Sequence, residues 1–64
     1  MKEDDRFIQW FGDRYGSGPI KESVFITCIC GYYNTFPKDA DRVLKRLKQS
    51  GHITKHGKGI NING

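Results

Sequence analysis

The chain has 64 residues, 36% of them hydrophobic and 28% charged, with 11 Lys and Arg against 7 Asp and Glu for a formal net charge of +4. That length limits it to one domain over residues 1–64, whose small core buries only about 60% of the unfolded surface. No stretch approaches the roughly 18 apolar residues of a membrane span, and residues 2–6 mix charges where a signal peptide would begin, so the expected location is the cytoplasm, or the nucleoid or nucleus where DNA is kept.

Residues 3–15 read as a first helix. Glu3, Asp4 and Asp5 fall in its first turn, where carboxylates favour the positive end of the helix dipole. Phe7, Ile8, Trp10, Phe11 and Tyr15 make its apolar side. Gly16-Ser17-Gly18-Pro19 breaks the chain, and Ile20 reads as a short extended piece.

A second helix is expected over residues 22–33. Phe25, Cys28, Ile29 and Tyr32 share one helical stripe, and Ile26, Cys30 and Tyr33 another, so the helix is apolar nearly all round and is expected to be central and buried. Tyr32, Tyr33 and Phe36 are expected to fill the core and the junction with the next helix. Asn34 or Thr35 is the expected cap, followed by Pro37 in the first turn.

The third helix, residues 37–50, carries the strongest pattern. Ala40, Val43, Leu44 and Leu47 are spaced i, i+3, i+4, i+7 on one face. The opposite face is centred on Lys38, Arg42, Lys45 and Gln49, with Arg46 at its edge. Ser50-Gly51 ends the helix. His52 to Asn63 then reads as a β-hairpin around Gly57-Lys58-Gly59, spanning residues 52–62.

Charge follows this order. Residues 1–16 carry three Lys or Arg and four Asp or Glu, whereas residues 37–64 carry seven and two. A basic second half points to a polyanionic partner or to a solvated face that keeps a small protein soluble. A packed helix with a cationic outer face is what a DNA major groove admits, and this tips the reading towards nucleic acid.

Helix, extended piece, helix, tight turn, basic helix and hairpin follow the order of the winged helix-turn-helix superfamily. The resemblance is closest over residues 35–62. Val43-Leu44, Leu47, Gly51 and Ile53 match the superfamily's pattern of an apolar residue, Leu-x-x-Leu, a glycine and an aliphatic residue entering the wing. It implies an α+β fold, double-stranded DNA binding and no cofactor. By position, Arg42 and Lys45 would reach base edges, with Gln49 on the same face. Lys38, Arg46, Lys48, Lys55 and Lys58 would meet phosphates, with His56 beside them on the wing. Lys38 and Arg42-Val43-Leu44 are similar to the Z-DNA-binding branch. Asp41 and Lys45 replace its Asn and Tyr, however, and Gly57-Lys58-Gly59 replaces its Pro-Pro-x-Trp, which argues against left-handed DNA. Roles such as transcription regulator or viral or mobile-element accessory factor follow by analogy, with a homodimer the natural way to enlarge the footprint. The alternative is a protein-interaction module that sets the basic face on an acidic partner.

Other chemistries have little behind them. Cys28-x-Cys30 is tighter than zinc-ligand spacing, and on a helix the two thiols point about 200° apart, although His52 and His56 are spaced usably. No metal site is expected. No nucleophile elbow, P-loop or carboxylate pair is evident, so no enzyme is expected either.

Overall fold

The computed structural model describes residues 2–63. Helix α1 spans Lys2–Tyr15, strand β1 Ile20–Lys21, helix α2 Glu22–Tyr33, helix α3 Pro37–Gln49, and strands β2 and β3 Ile53–His56 and Gly59–Ile62. This is an α+β fold of three helices and a three-stranded antiparallel sheet ordered β1-β3-β2, with β2 and β3 forming the C-terminal hairpin.

The core lies where the three helices meet the inner face of the sheet. It contains Phe7, Ile8 and Phe11 of α1, Phe25 and Ile29 of α2, Ala40, Val43, Leu44 and Leu47 of α3, and Ile53 and Ile60 of the hairpin. The i, i+3, i+4, i+7 set on α3 is fully internal, as its spacing predicts. Burying each of its larger members stabilises the fold by about 1.5–3 kcal/mol before entropy is counted. Phe7 sits at the centre of an aromatic cluster, its ring 5.2–6.0 Å from those of Trp10, Phe11, Phe25, Tyr32 and Tyr33.

Helix ends are set by backbone geometry. Asn34, at φ 55, is the left-handed cap of α2, and its N–H and that of Thr35 both reach the Cys30 carbonyl. After α3, Gly51 takes φ 84. Its N–H bonds the Lys48 carbonyl at 3.2 Å, and the His52 N–H bonds that of Leu47 at 3.0 Å. These are the two bonds of a Schellman cap. The hairpin turns through Gly57, at φ 59, and Lys58; a glycine at the first central position suits a II′ turn.

Three expectations need correction. First, α2 is not buried all round. Only Phe25 and Ile29 are internal, Cys28 and Cys30 are half-buried free thiols, and Val24 and Tyr32 are exposed. A small sheet and two short helices cannot cover a whole third helix. Secondly, neither Asn34 nor Thr35 caps α3. The N-cap is Phe36, and Thr35 Oγ1 instead lies 3.4 Å from Asp39 Oδ2. Thirdly, Phe36 fills no junction and is exposed to solvent, because the left-handed turn at Asn34 swings it outward. Trp10 is only partly buried and Tyr15 is exposed, though its ring packs 4.7 Å from that of Phe11.

The extended piece at Ile20 is a true strand. Ile20 pairs with Ile60 and Lys21 with Gly59, and the Glu22 N–H reaches the Lys58 carbonyl. Upstream, Ser17 accepts from the Ile62 N–H at 2.8 Å. The linker after α1 is thereby stitched along the hairpin, and Gly18 is the point of closest approach. At φ 109, a Cβ there would lie 2.6 Å from the Ile60 carbonyl oxygen and 2.8 Å from Asn61 Oδ1. Gly18→Ala is expected to cost about 2–3 kcal/mol through backbone strain and a displaced strand. Urea unfolding would show this as a lower midpoint at unchanged slope; a midpoint within error of the native chain would remove Gly18 from this role.

Candidate nucleic-acid interface

Packing the apolar stripe of α3 leaves its other side in water. Lys38, Arg42, Lys45, Lys48 and Gln49 are all exposed there. Lys55, His56 and Lys58 are exposed on the hairpin. The expected basic side chains therefore divide between one helix face and the adjoining wing, both on the surface.

Their electrostatic states differ. Lys45 Nζ lies 3.4 Å from Asp41 Oδ2, one turn back on the same exposed face. Such i,i+4 pairs are worth about 0.3–0.5 kcal/mol, so phosphate can displace the aspartate cheaply. Lys55 Nζ lies 2.7 Å from Glu22 Oε2, which ties β2 to the start of α2. Lys38, Arg42, Lys48 and Lys58 make no ion pair among the described residues. Asp39 and Asp41, also exposed, stand beside Lys38 and Arg42 along the same helix.

Arg46 stands apart from the rest. Its guanidinium turns back onto α1, where Nε donates to Asp4 Oδ2 at 2.8 Å and Nη2 to Asp4 Oδ1 at 2.7 Å. The Tyr33 hydroxyl donates to the same Oδ1 at 2.7 Å, and the guanidinium lies over the Tyr33 ring. Asp4 is 1% exposed, so this is a buried carboxylate met by a two-pronged cation and a phenol. The Arg46 hydrogen bonds hold the Asp4 carboxyl below the usual carboxylate range, against the opposing effect of burial. Burial and the Asp4 bond push the Tyr33 phenol up, and Asp4 raises Arg46 further. Arg46 thus joins three helices, and a phosphate contact from it would have to compete with a strong internal partner.

A second polar link joins α1 to the end of α3. His52 Nε2 lies 2.6 Å from Asp5 Oδ1, and its Nδ1 meets the Ser50 hydroxyl. The histidine bond lowers the Asp5 carboxyl from its ordinary range. His52 and His56 do not converge with the cysteines: among the described residues, no group of three His, Cys, Asp or Glu side chains is placed to hold a metal ion.

The sequence reading missed Lys21. Its pairing with Gly59 brings it beside the wing turn, where Lys21, Glu22, Ser23, Ile26 and Lys58 line an open cleft of about 610 Å3. A two-residue strand has no periodicity to reveal it, and only its hydrophobic neighbour Ile20 hinted at extension. A second open cleft, about 470 Å3, is lined by Asp5, Asp13, His52 and Asn63 among others and includes none of the basic side chains of α3. No helix among the described residues is long and apolar enough to cross a membrane. Comparison with protein-family models, curated proteins and solved structures finds no match to this chain.

Proposed function

We propose that this chain is a winged helix-turn-helix module that binds double-stranded DNA, with α3 in the major groove and the β2–β3 hairpin as the wing. The observation that carries the reading is the two-sidedness of α3. Ala40, Val43, Leu44 and Leu47 are buried, while Lys38, Arg42, Lys45, Lys48 and Gln49 face outward on one rigid rod. Arg42, Lys45 and Gln49 take base edges; Lys38, Lys48, Lys21, Lys55 and Lys58 take phosphates. Arg46 serves the fold first. The role is non-enzymatic and needs no cofactor. It suits a small transcription regulator or a viral or mobile-element accessory factor, located with its DNA in the cytoplasm, nucleoid or nucleus. A single module this small covers limited DNA, and a homodimer would extend it.

The test is titration of a random-sequence duplex across roughly 50–300 mM salt. About five phosphate contacts give a log–log slope of about −4 to −5, or a loss of about 10²–10³-fold between 50 and 200 mM. Lys38→Glu/Arg42→Glu should keep the native helical signal, because both side chains are exposed and make no ion pair among the described residues, and should flatten the slope by about one, since Lys38 is one of the five phosphate contacts and Arg42 takes base edges. Millimolar or mutant-insensitive binding would overturn the DNA reading. The basic face would then belong to an acidic protein partner, with Lys38 and Arg42 in the contact.

A further inference from the structure

Asp41 stands against the charge of the face it occupies. It is exposed on the outward side of α3, about 60° round the helix from Lys38 and about 40° from Lys45. Phosphate repels a carboxylate, so an acid here weakens the hold of this face on a polyanion. Asp39 has a local reason to be acidic, because it lies in the first turn at the positive end of the helix dipole. Asp41 lies beyond that turn. Its exposed pair with Lys45 contributes only about 0.3–0.5 kcal/mol. Helix stability alone is a weak reason for an acid at this position.

The geometry of the pair supplies a stronger one. Asp41 Oδ2 and Lys45 Nζ lie 3.4 Å apart, with the two side chains 56% and 69% exposed. Lys55 and Glu22, by contrast, close to 2.7 Å at 34% exposure each. A charge-assisted N–H···O bond runs about 2.7–2.9 Å. Asp41 and Lys45 therefore set an acceptor beside a donor without saturating each other, and both are open to a partner. The major-groove edge of a base pair has the matching form. The amino group and the carbonyl oxygen that join the two bases lie side by side, about 2.9 Å apart. At G·C, the carboxylate meets the cytosine N4 amino group, and the ammonium meets guanine O6 with the N7 acceptor next to it. At A·T, a carboxylate on adenine N6 lies against the N7 lone pair, and an ammonium on thymine O4 lies against the C5-methyl. The pair fits the first edge and conflicts with the second.

We propose that Asp41 and Lys45 together read a G·C pair in the major groove, the Asp41 carboxylate accepting from cytosine N4 and Lys45 Nζ donating to guanine O6 and N7. This rests on the DNA reading above and adds to it an acidic residue that sets base preference.

The test uses one G·C duplex of about two helical turns in three forms. The first is unmodified, the second carries N4-methylcytosine, whose methyl replaces the outward N4–H, and the third carries 7-deazaguanine, which lacks the N7 acceptor. Each modification should weaken native binding by about fivefold or more, and an A·T duplex of the same length should bind about tenfold less tightly than the unmodified one. Asp41→Ala should lose the response to N4-methylcytosine and keep the response to 7-deazaguanine; Lys45→Ala should do the reverse. Both side chains are exposed, so both variants should keep the native helical signal. Removing an acid raises affinity for every duplex alike, so the ratio of affinities between duplexes is the readout. A native chain indifferent to N4-methylcytosine, or an Asp41→Ala variant with native ratios, would overturn the inference while leaving salt-dependent binding in place. Absence of salt-dependent binding to any duplex would overturn the DNA reading itself, and this inference with it.

Discussion

Phe7→Ala is expected to leave the chain largely unfolded at 25 °C. Phe7 is fully buried at the meeting point of α1 and α2, with five aromatic rings within 6.0 Å. Deleting a buried phenyl costs about 3–5 kcal/mol, the lost transfer energy plus the cavity left behind. A domain of this length holds only about 3–10 kcal/mol in total. Collapse around the hole would require Trp10, Tyr32 and Tyr33 to move together, and Tyr33 is tethered to Asp4. Phe7→Leu should stay folded, with a lower urea midpoint and a native-like slope. Circular dichroism with urea unfolding checks both variants. A cooperative transition for Phe7→Ala within about 1 kcal/mol of native would show that the aromatic cluster is not what docks α1.

The second large effect belongs to the Asp4–Arg46 pair. Asp4→Ala and Arg46→Ala are each expected to destabilise by about 2–4 kcal/mol, since either leaves a charged or polar group without its partner. Arg46 is about half exposed, at 49%, so the loss should fall below that of a fully enclosed pair. The double variant should cost much less than the sum of the singles, and Asp4→Leu/Arg46→Met should approach native stability. The pair also fixes the direction of the acid response. Asp4 has its carboxyl lowered in the fold by the Arg46 hydrogen bonds, so it contributes stability that is present above its unfolded value of about 3.9 and lost as pH falls through the folded value. Stability measured by urea should therefore fall below about pH 4 in the native chain, and less steeply in Asp4→Asn. Additive single and double variants, or an acid limb unchanged by Asp4→Asn, would remove the pair from this account.

The two sets of residues around α3 were legible to different degrees. The bounds of α3 were readable because apolar spacing, Pro37 and Gly51 agree within one segment. The hairpin was readable for the same reason. The outward cations needed only the angle between successive residues. Asp4–Arg46 was not readable, because its members lie 42 residues apart. The acids of the first turn also have a sufficient local explanation in the helix dipole, and that explanation conceals the tertiary one. Phe36 was misplaced by the ordinary preference of aromatic side chains for the interior; a single left-handed residue at Asn34 overrides it. The burial of α2 was overestimated because composition reports what a helix could bury, whereas the neighbours decide how much of it they cover.

The order of the sheet also bears on how the molecule comes into being. Its middle strand, Gly59–Ile62, follows every other element along the chain, while its outer strands precede it by very different distances. On a growing nascent chain, Ile20 and Ile53 have nothing between them until that last strand is synthesised. The helices form early from local contacts, but the three strands join only in one late step that closes the long loop between Ile20 and Ile60. Completion of the sheet therefore waits on its last strand, and until that strand is in place the backbone edges of both outer strands stand open to chaperones or to other unfinished copies.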